Sequence, residues 1–364
     1  MTPVPVGFRL VRDRHTRTAR DGTVLWGGTP WRLLRLTPAG AVLAGDLLNA
    51  VPVCNERDGL LARRLLDAGL AHPAPPDGAV EFEVIVPARD RLTELERCLA
   101  ALSGLAVTVV DDGSSDPAGV DNVVERHGAR LISRHCNGGP AAARNSGLAA
   151  TSAPVVAFVD SDAVVGSAAL QQLVRHLTDP AVAAVAPRIR DPLLDMGPHP
   201  ANVRPGSAVP YVPATVLVVR RTAVGFDESL RYGEDVDLIW RLVEGGRAVR
   251  YDPEVVVEHP ARQRLARRFA YGTSVGPLSR LHPDALRGPT LAGVAAPLRI
   301  GTLLRSGVPA TTAVRVAMTT PVRTIVGIGR WAIPTSADDV AYTLGVWRGC
   351  ARARTVRPLL PRIR

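Results

Sequence analysis

Acidic residues stand at three places in this chain where their types and spacing could do chemistry. Asp160-Ser161-Asp162 follows the apolar run Pro154–Val159. Two carboxylates at i and i+2 after a strand can set one on a ribose and the other on a divalent cation. A diphosphate leaving group needs such a cation, Mg²⁺ or Mn²⁺, to neutralise charge as its bond breaks. Asp111-Asp112-Gly113-Ser114-Ser115-Asp116 joins carboxylates to a sharp turn, where one of them could accept the imide N–H of a pyrimidine base. Gly233-Glu234-Asp235-Val236-Asp237 opens a helical pattern. Asp235 there is a candidate general base for an acceptor hydroxyl, while Asp237 reads as ordinary acid at a helix N-terminus. His259, after Val255-Val256-Val257, is a candidate to complete the metal shell.

Two further stretches accompany them. Pro87 and Arg89 follow the apolar run Phe82–Val86, so backbone and guanidinium there could meet a nucleotide. Asn137-Gly138-Gly139 offers a loop able to approach a ligand closely, and Pro140 starts a helix carrying Arg144, a residue suited to pyrophosphate or base. Singly, each motif has a plainer explanation as a turn, a cap or a surface arginine. In this order they describe a site that holds a nucleotide diphosphate on a metal and sets a carboxylate against it.

The elements needed to position these residues are legible too. Phe82–Val86, Val107–Val110 and Pro154–Val159 are short apolar runs of the kind found in buried parallel strands. Between the first two, Thr93 and Glu96 form a capping-box pattern, and Leu92, Leu95, Leu99 and Leu102 recur at helical spacing. Carboxylates at strand ends in an open α/β sheet lie where ligands bind. The expected fold class is therefore α/β, Rossmann-like and mostly parallel, with flanking helices. Residues 1–72 read as a small winged-helix-like module. Short β-type stretches precede Thr37-Pro38, a helix start with Thr as N-cap, and a second helix carries Leu61, Leu65 and Leu66 and ends near Gly69. Residues 73–80 read as a linker, 81–260 as the catalytic domain and 261–364 as a helical, arginine-rich region.

Composition narrows the partners. All 44 basic residues are arginine, and the formal charge of +10 is unevenly placed. From Ala261 onward there are 17 Arg against Asp284, Asp338 and Asp339, so the preceding 260 residues carry a net negative charge. Aromatic content of 4% argues against a nucleic-acid partner, which would need bases to stack. The basic, apolar tail suits an anionic membrane surface instead. The segment Leu291 to Leu304 is too short for a span and is broken by Pro297 and Arg299. Four dispersed cysteines and no signal-peptide pattern point to a reducing cytoplasm, with peripheral contact at the inner face of the membrane.

As a set, the motifs resemble the family-2 glycosyltransferases of GT-A type, over roughly residues 81–260. That resemblance implies that Arg89 with Asp111 or Asp112 holds the nucleobase and that Asp160 meets the ribose. Asp162 would bind the metal, and Asp235 would deprotonate an acceptor that attacks in line with inversion. Pro87, Gly139, Arg144 and Ser161 complete the donor side, His259 the metal, and Glu234 and Trp240 the acceptor side. Gly7-Phe8-Arg9-Leu10, Gly27-Gly28-Thr29-Pro30, Arg35-Leu36-Thr37-Pro38-Ala39-Gly40 and Tyr271-Gly272-Thr273-Ser274 are similar to the mycofactocin-system glycosyltransferases. The implied activity is glucosylation of the peptide-derived redox cofactor mycofactocin from UDP-glucose. The N-terminal layout is also similar to domains that bind a leader peptide by strand addition, so a leader or maturation proteins are expected partners. Transfer to a cell-envelope lipid or polysaccharide is the competing enzymatic reading. An inert fold that only binds peptide is the competing non-enzymatic one.

Overall fold

The computed structural model describes residues 1–28, 31–260, 264–286, 290–291, 305, 337–359 and 362–363. Thr29-Pro30 and the part of the Leu291–Leu304 segment containing Pro297 and Arg299 lie outside the described residues. In chain order come β1 (Arg9–Arg12), β2 (Arg17–Ala19), β3 (Val24–Gly27), β4 (Arg32–Arg35), α1 (Pro38–Leu48), α2 (Glu56–Asp67) and β5 (Ala71–Ala74). They are followed by β6 (Glu83–Ala88), α3 (Leu92–Ala101), β7 (Val107–Asp111), α4 (Pro117–Arg126), β8 (Arg130–Ser133), α5 (Gly139–Ala150), β9 (Val155–Val159) and α6 (Ser167–Val174). Next are β10 (Val182–Arg190), β11 (Ala201–Asn202), β12 (Val216–Arg220), α7 (Glu234–Glu244) and β13 (Ala248–Glu258). The last are α8 (Arg264–Thr273), α9 (Val275–Leu281), β14 (Thr290–Leu291), α10 (Ala337–Arg352) and β15 (Arg362–Ile363).

The chain divides into two compact units: Met1–Asp13 with Leu47–Ala261, and Arg14–Asp46 with Arg262–Arg364. The first is built on an eight-stranded sheet in the order β11-β13-β10-β12-β9-β6-β7-β8. β8, β7, β6 and β9 run parallel, and β6, β7 and β9 carry the Val-, Ile- and Phe-rich runs that buried parallel strands show. β12 lies antiparallel between β9 and β10, making the sheet mixed. The chain leaves β6 toward β7 on one side and returns to β9 on the other, so a topological switch point falls at the carboxyl ends of β6 and β9.

Pro87, expected to bound the first strand, is instead inside β6 and opposite Val110. Pairing of β6 with β9 ends at Ile85, while pairing with β7 continues to Ala88. The Ala88 carbonyl accepts from Asp112 N on the β7 side, so alternation turns Pro87 toward the side where the ladder has already opened. A missing N–H is harmless there. The capping-box expectation at Thr93 and Glu96 is corrected: α3 is entered two residues earlier than that box allows, with Arg91 at the cap position and no side-chain cap. Asp90 and Arg91 both adopt left-handed backbone (φ 57° and 60°), and this turn sets the helix start. Glu96 binds Arg126 and His127 instead.

In the N-terminal part, β1 pairs antiparallel with β5, so Pro73 and Ala74, expected in the linker, are strand residues. Pro73 is tolerated because a two-stranded ribbon consists of edges. Thr37 Oγ1 accepts from Gly40 N at 3.1 Å, the expected N-cap of α1. In the second unit, β2, β3 and β4 form a three-stranded antiparallel sheet around Val24 and Trp26. There too, α8 and α9 lie against α10 backbone to backbone. A Cβ on Gly272, Gly276, Gly345 or Gly349 would collide with main-chain atoms of the facing helix, the close approach that small residues at a four-residue spacing permit. Among the described residues no helix is long and apolar enough to cross a membrane.

Candidate functional site

The strand ends at the switch point gather most of the residues singled out above. Asp160 leaves β9 with its N–H bonded to Thr215 O at 2.8 Å, which fixes the turn carrying the half-buried Ser161 and Asp162. Arg144, from α5 and only 4% exposed, donates to Asp160 Oδ1 at 2.7 Å and to Glu234 Oε1 at 3.1 Å. Its guanidinium carbon lies 5.3 Å from the centre of the Phe226 ring, which meets Phe158 edge-on. Asn145, next in the helix, exchanges hydrogen bonds with the Phe226 backbone, at 2.9 Å each way. The Arg-Asn pair thus ties α5, the end of β9 and the start of α7 into one strut. Arg144 faces carboxylates here rather than standing on a surface.

Asp235 sits beside Glu234 at the head of α7, with Oδ1 accepting from Val236 N at 2.8 Å and Oδ2 from Ala214 N at 3.4 Å. Burial pushes both carboxyls above the ordinary range, with Arg144 offsetting part of the shift, and for Glu234 the adjacent Asp235 charge adds to it. A carboxylate held this way is a better proton acceptor than an exposed one. Trp240 is buried farther along the helix, and its indole donates to Pro210 O at 2.8 Å.

Asp162 and His259 face one another, with Oδ1 and Nε2 3.5 Å apart. Behind the ring, Nδ1 is 3.2 Å from Asp191 Oδ2 and Asp191 is 3% exposed. A carboxylate on one ring nitrogen aims the other, an arrangement common behind metal-binding histidines. Burial works against charge on both groups, yet the pairing holds Asp162 below the usual carboxylate range and lifts His259 above the usual imidazole value. Arg91 adds to the effect on Asp162 from 3.5 Å. One hard oxygen donor and one imidazole nitrogen suit Mn²⁺ or Mg²⁺. Among the described residues no group of three such side chains converges, so protein would fill only part of a coordination sphere. Cys98, close to the Asp160 carbonyl, is no nucleophile: burial pushes its thiol up to about 12, with the Asp160 and Asp162 charges adding to the effect.

Along β7 the two aspartates differ. Asp112 Oδ1 accepts from Arg134 Nε and Gly138 N, each at 2.9 Å, and Oδ2 from Gly139 N at 2.7 Å. Gly139 has φ +87°, which a side chain would strain. Asp111 gives Oδ1 to Ser114, whose hydroxyl and N–H lie at 2.5 Å and 3.0 Å. Arg89 is half exposed, 3.8 Å from Asp90.

Residues 83–207 match the family model described as Glycosyl transferase family 2. Two relatives in Mycobacterium tuberculosis, from strains CDC 1551 / Oshkosh and ATCC 25618 / H37Rv, are both called pre-mycofactocin glycosyltransferase. Each is 43% identical over 309 residues, covering 78% of this chain and 65% of the relative. Residues 83–207 form a glycosyltransferase family 2 domain. The chain spans about two-thirds of the length of these relatives, 65%. Among solved structures, the mannosyltransferase PcManGT from Pyrobaculum calidifontis, in complex with GDP-Man and Mn²⁺, is similar in fold. Its TM-score is 0.50 at 20% identity, over 79% of this chain and 89% of that one. The fold of the family-2 domain is thus the GT-A type that the motif series implies.

Several residues at this family-2 site carry no sequence signal of their own. Arg91 reaches Asp162, and Asp191 reaches His259, across 71 and 68 positions of chain. Ala214 and Thr215 act through their backbone alone. Asn145 was visible as part of Ala143-Arg144-Asn145 but not as the clamp on Phe226.

Proposed function

We propose that this chain transfers glucose from UDP-glucose to pre-mycofactocin, with a divalent metal and with inversion at the sugar. The supporting observation is the Arg144 strut, whose guanidinium bonds Asp160 and Glu234, the latter next to Asp235 with its raised carboxyl. In this reading Asp111 meets the nucleobase, because Asp112 spends both oxygens on Arg134, Gly138 and Gly139. Arg89, Pro87, Gly139 and Ser161 line the donor, and Asp160 orients the ribose. Asp162 and His259 would hold Mn²⁺ or Mg²⁺, which when bound neutralises charge on the departing diphosphate. Asp235 takes the proton from the acceptor hydroxyl as that oxygen attacks the anomeric carbon from the face opposite the leaving group. Glu234 keeps Arg144 in place, and Trp240 supports α7 on the acceptor side. The residue 1–72 module would bring the peptide by strand addition.

The test is UDP release by the full chain from UDP-glucose with a peptide-derived acceptor, with the product anomer assigned by NMR. Turnover that ceases in D162A and under metal chelation is expected. Full activity in either case removes the metal from the mechanism, and UDP binding without turnover across acceptors favours the binding-only reading.

A second reading has an observation of its own. On α10, Val340, Leu344 and Trp347 are exposed at helical spacing beside Arg348 and Arg352. An apolar stripe with flanking arginines suits an anionic lipid surface, so a lipid acceptor at the inner face of the membrane is the alternative. Co-sedimentation with anionic vesicles, lost in L344S/W347S, supports it; equal recovery in the supernatant with and without vesicles rejects it.

A further inference from the structure

Far from the donor crevice, the first unit buries more arginine than it neutralises. Arg250, the third residue of β13, is 2% exposed, and none of its three guanidinium nitrogens has a hydrogen-bond partner. It stands in register with Asn202 of β11, whose amide donates to the carbonyl of Leu66 in α2. From the same helix comes Arg63, 3% exposed. Arg63 gives Nη2 to both oxygens of Asp179, at 2.6 and 2.7 Å, and Nε to Thr2 O at 2.9 Å, which leaves its buried Nη1 without an acceptor. Asp179 also accepts from Ala181 N, so the carboxylate in reach of Arg250 is already committed elsewhere.

An unpaired buried guanidinium is among the costliest groups a fold can keep. Deprotonation offers no escape: burial pushes Arg250 down only to about 10, so it is charged at neutral pH. Asp179 and Asp67 favour that charge, but Arg63 and Arg204 oppose it. Four donor nitrogens on two guanidinium groups therefore lack the acceptors that buried donors require.

We propose that a compact oxyanion, inorganic phosphate or sulfate, sits between Arg250 and Arg63 and locks α2 onto the β11–β13 edge of the sheet. Two guanidinium groups match the several acceptor oxygens of such an ion better than a single halide does. The position excludes the donor diphosphate as occupant. His259 follows the last residue of β13 while Arg250 is near its start; they lie opposite the two ends of the β10 stretch from Val185 to Arg190, roughly 17 Å apart along the sheet.

Isothermal titration of the full chain with inorganic phosphate, with saturating UDP in the donor site, tests this. One saturable phosphate per chain is expected, matched by sulfate, weaker for chloride and absent in R250M. Thermal unfolding of the wild type should rise by about 2–5 °C at phosphate well above its Kd, following the logarithm of concentration. The R250M variant should show only the smaller rise, linear in concentration, that excluded salts give any protein. Absence of saturable binding in the wild type overturns the proposal and leaves ordered water as the partner of Arg250. So does displacement of phosphate by UDP, or undiminished phosphate binding in R250M. Should R250M fail to fold, the wild-type titration decides alone.

Discussion

Arg144 shows how much one side chain can organise when its charge is buried. It serves Asp160 and Glu234 from two separate nitrogens of one rigid fork, a geometry that the single nitrogen of lysine does not reproduce. R144K should therefore cost about 1–3 kcal/mol in urea unfolding and weaken UDP binding, both absent in a neighbouring exposed control. Asp235 tests the chemistry rather than the scaffold. D235N should lower kcat at least about 100-fold while UDP affinity by calorimetry stays within error. Its pH behaviour follows from the direction of its shift. The carboxyl is protonated and idle below its raised pKa and ionised above it. The acid limb of kcat/KM should accordingly fall at a higher pH than an ordinary aspartate gives, with activity increasing as pH rises through it. An acid limb in the normal aspartate range would show that another group titrates. At this scale Asp160, Asp162, Asp235 and His259 stood out as candidates through the fixed order of their motifs, since an acid at a strand or helix end is by itself ordinary. Arg91 and Asp191 were not, because a partner supplied from some 70 positions away leaves no local pattern.

Among the elements, α5 and the loop before it decide how the donor side is held. Gly147 lets α5 lie so close to β6 that a Cβ there would be 2.5 Å from Ile85 Cγ2. G147L should lift the helix and destabilise the fold by about 1–3 kcal/mol in thermal unfolding. Asp112 acts on the loop alone, through Gly138 and Gly139, so D112A should raise the KM for donor with a smaller change in kcat. The strands of the parallel half were readable because buried strands need unbroken apolar runs. Helix starts were less so. The start of α3 is set by a left-handed pair at Asp90 and Arg91, residue types that do not announce that conformation. Pro87 misled for a related reason: whether proline ends a strand depends on which neighbour its missing N–H would have faced, and that is a property of the sheet.

The whole molecule is two compact units, one of them assembled from segments far apart in the chain. Sequence marks contiguous boundaries through Pro- and Gly-rich stretches, and the grouping of residues 14–46 with 262–364 has no such mark. The residues proposed to hold the donor lie in the first unit and the glycine contacts of α8, α9 and α10 in the second. Calorimetry should resolve two transitions, with UDP raising one and G276L lowering the other; a single transition moved by both would deny them independence. The place of β12 carries a further consequence, for the order of assembly. This strand completes the sheet between β9 and β10 yet follows both in the chain, and residues 214 and 215 just before it bind Asp160, Arg144 and Asp235. The nucleotide site therefore has no native form until a late, non-local pairing closes. Saturating UDP should leave the refolding rate unchanged and slow only unfolding, so this protein must complete its fold before its donor can help to hold it.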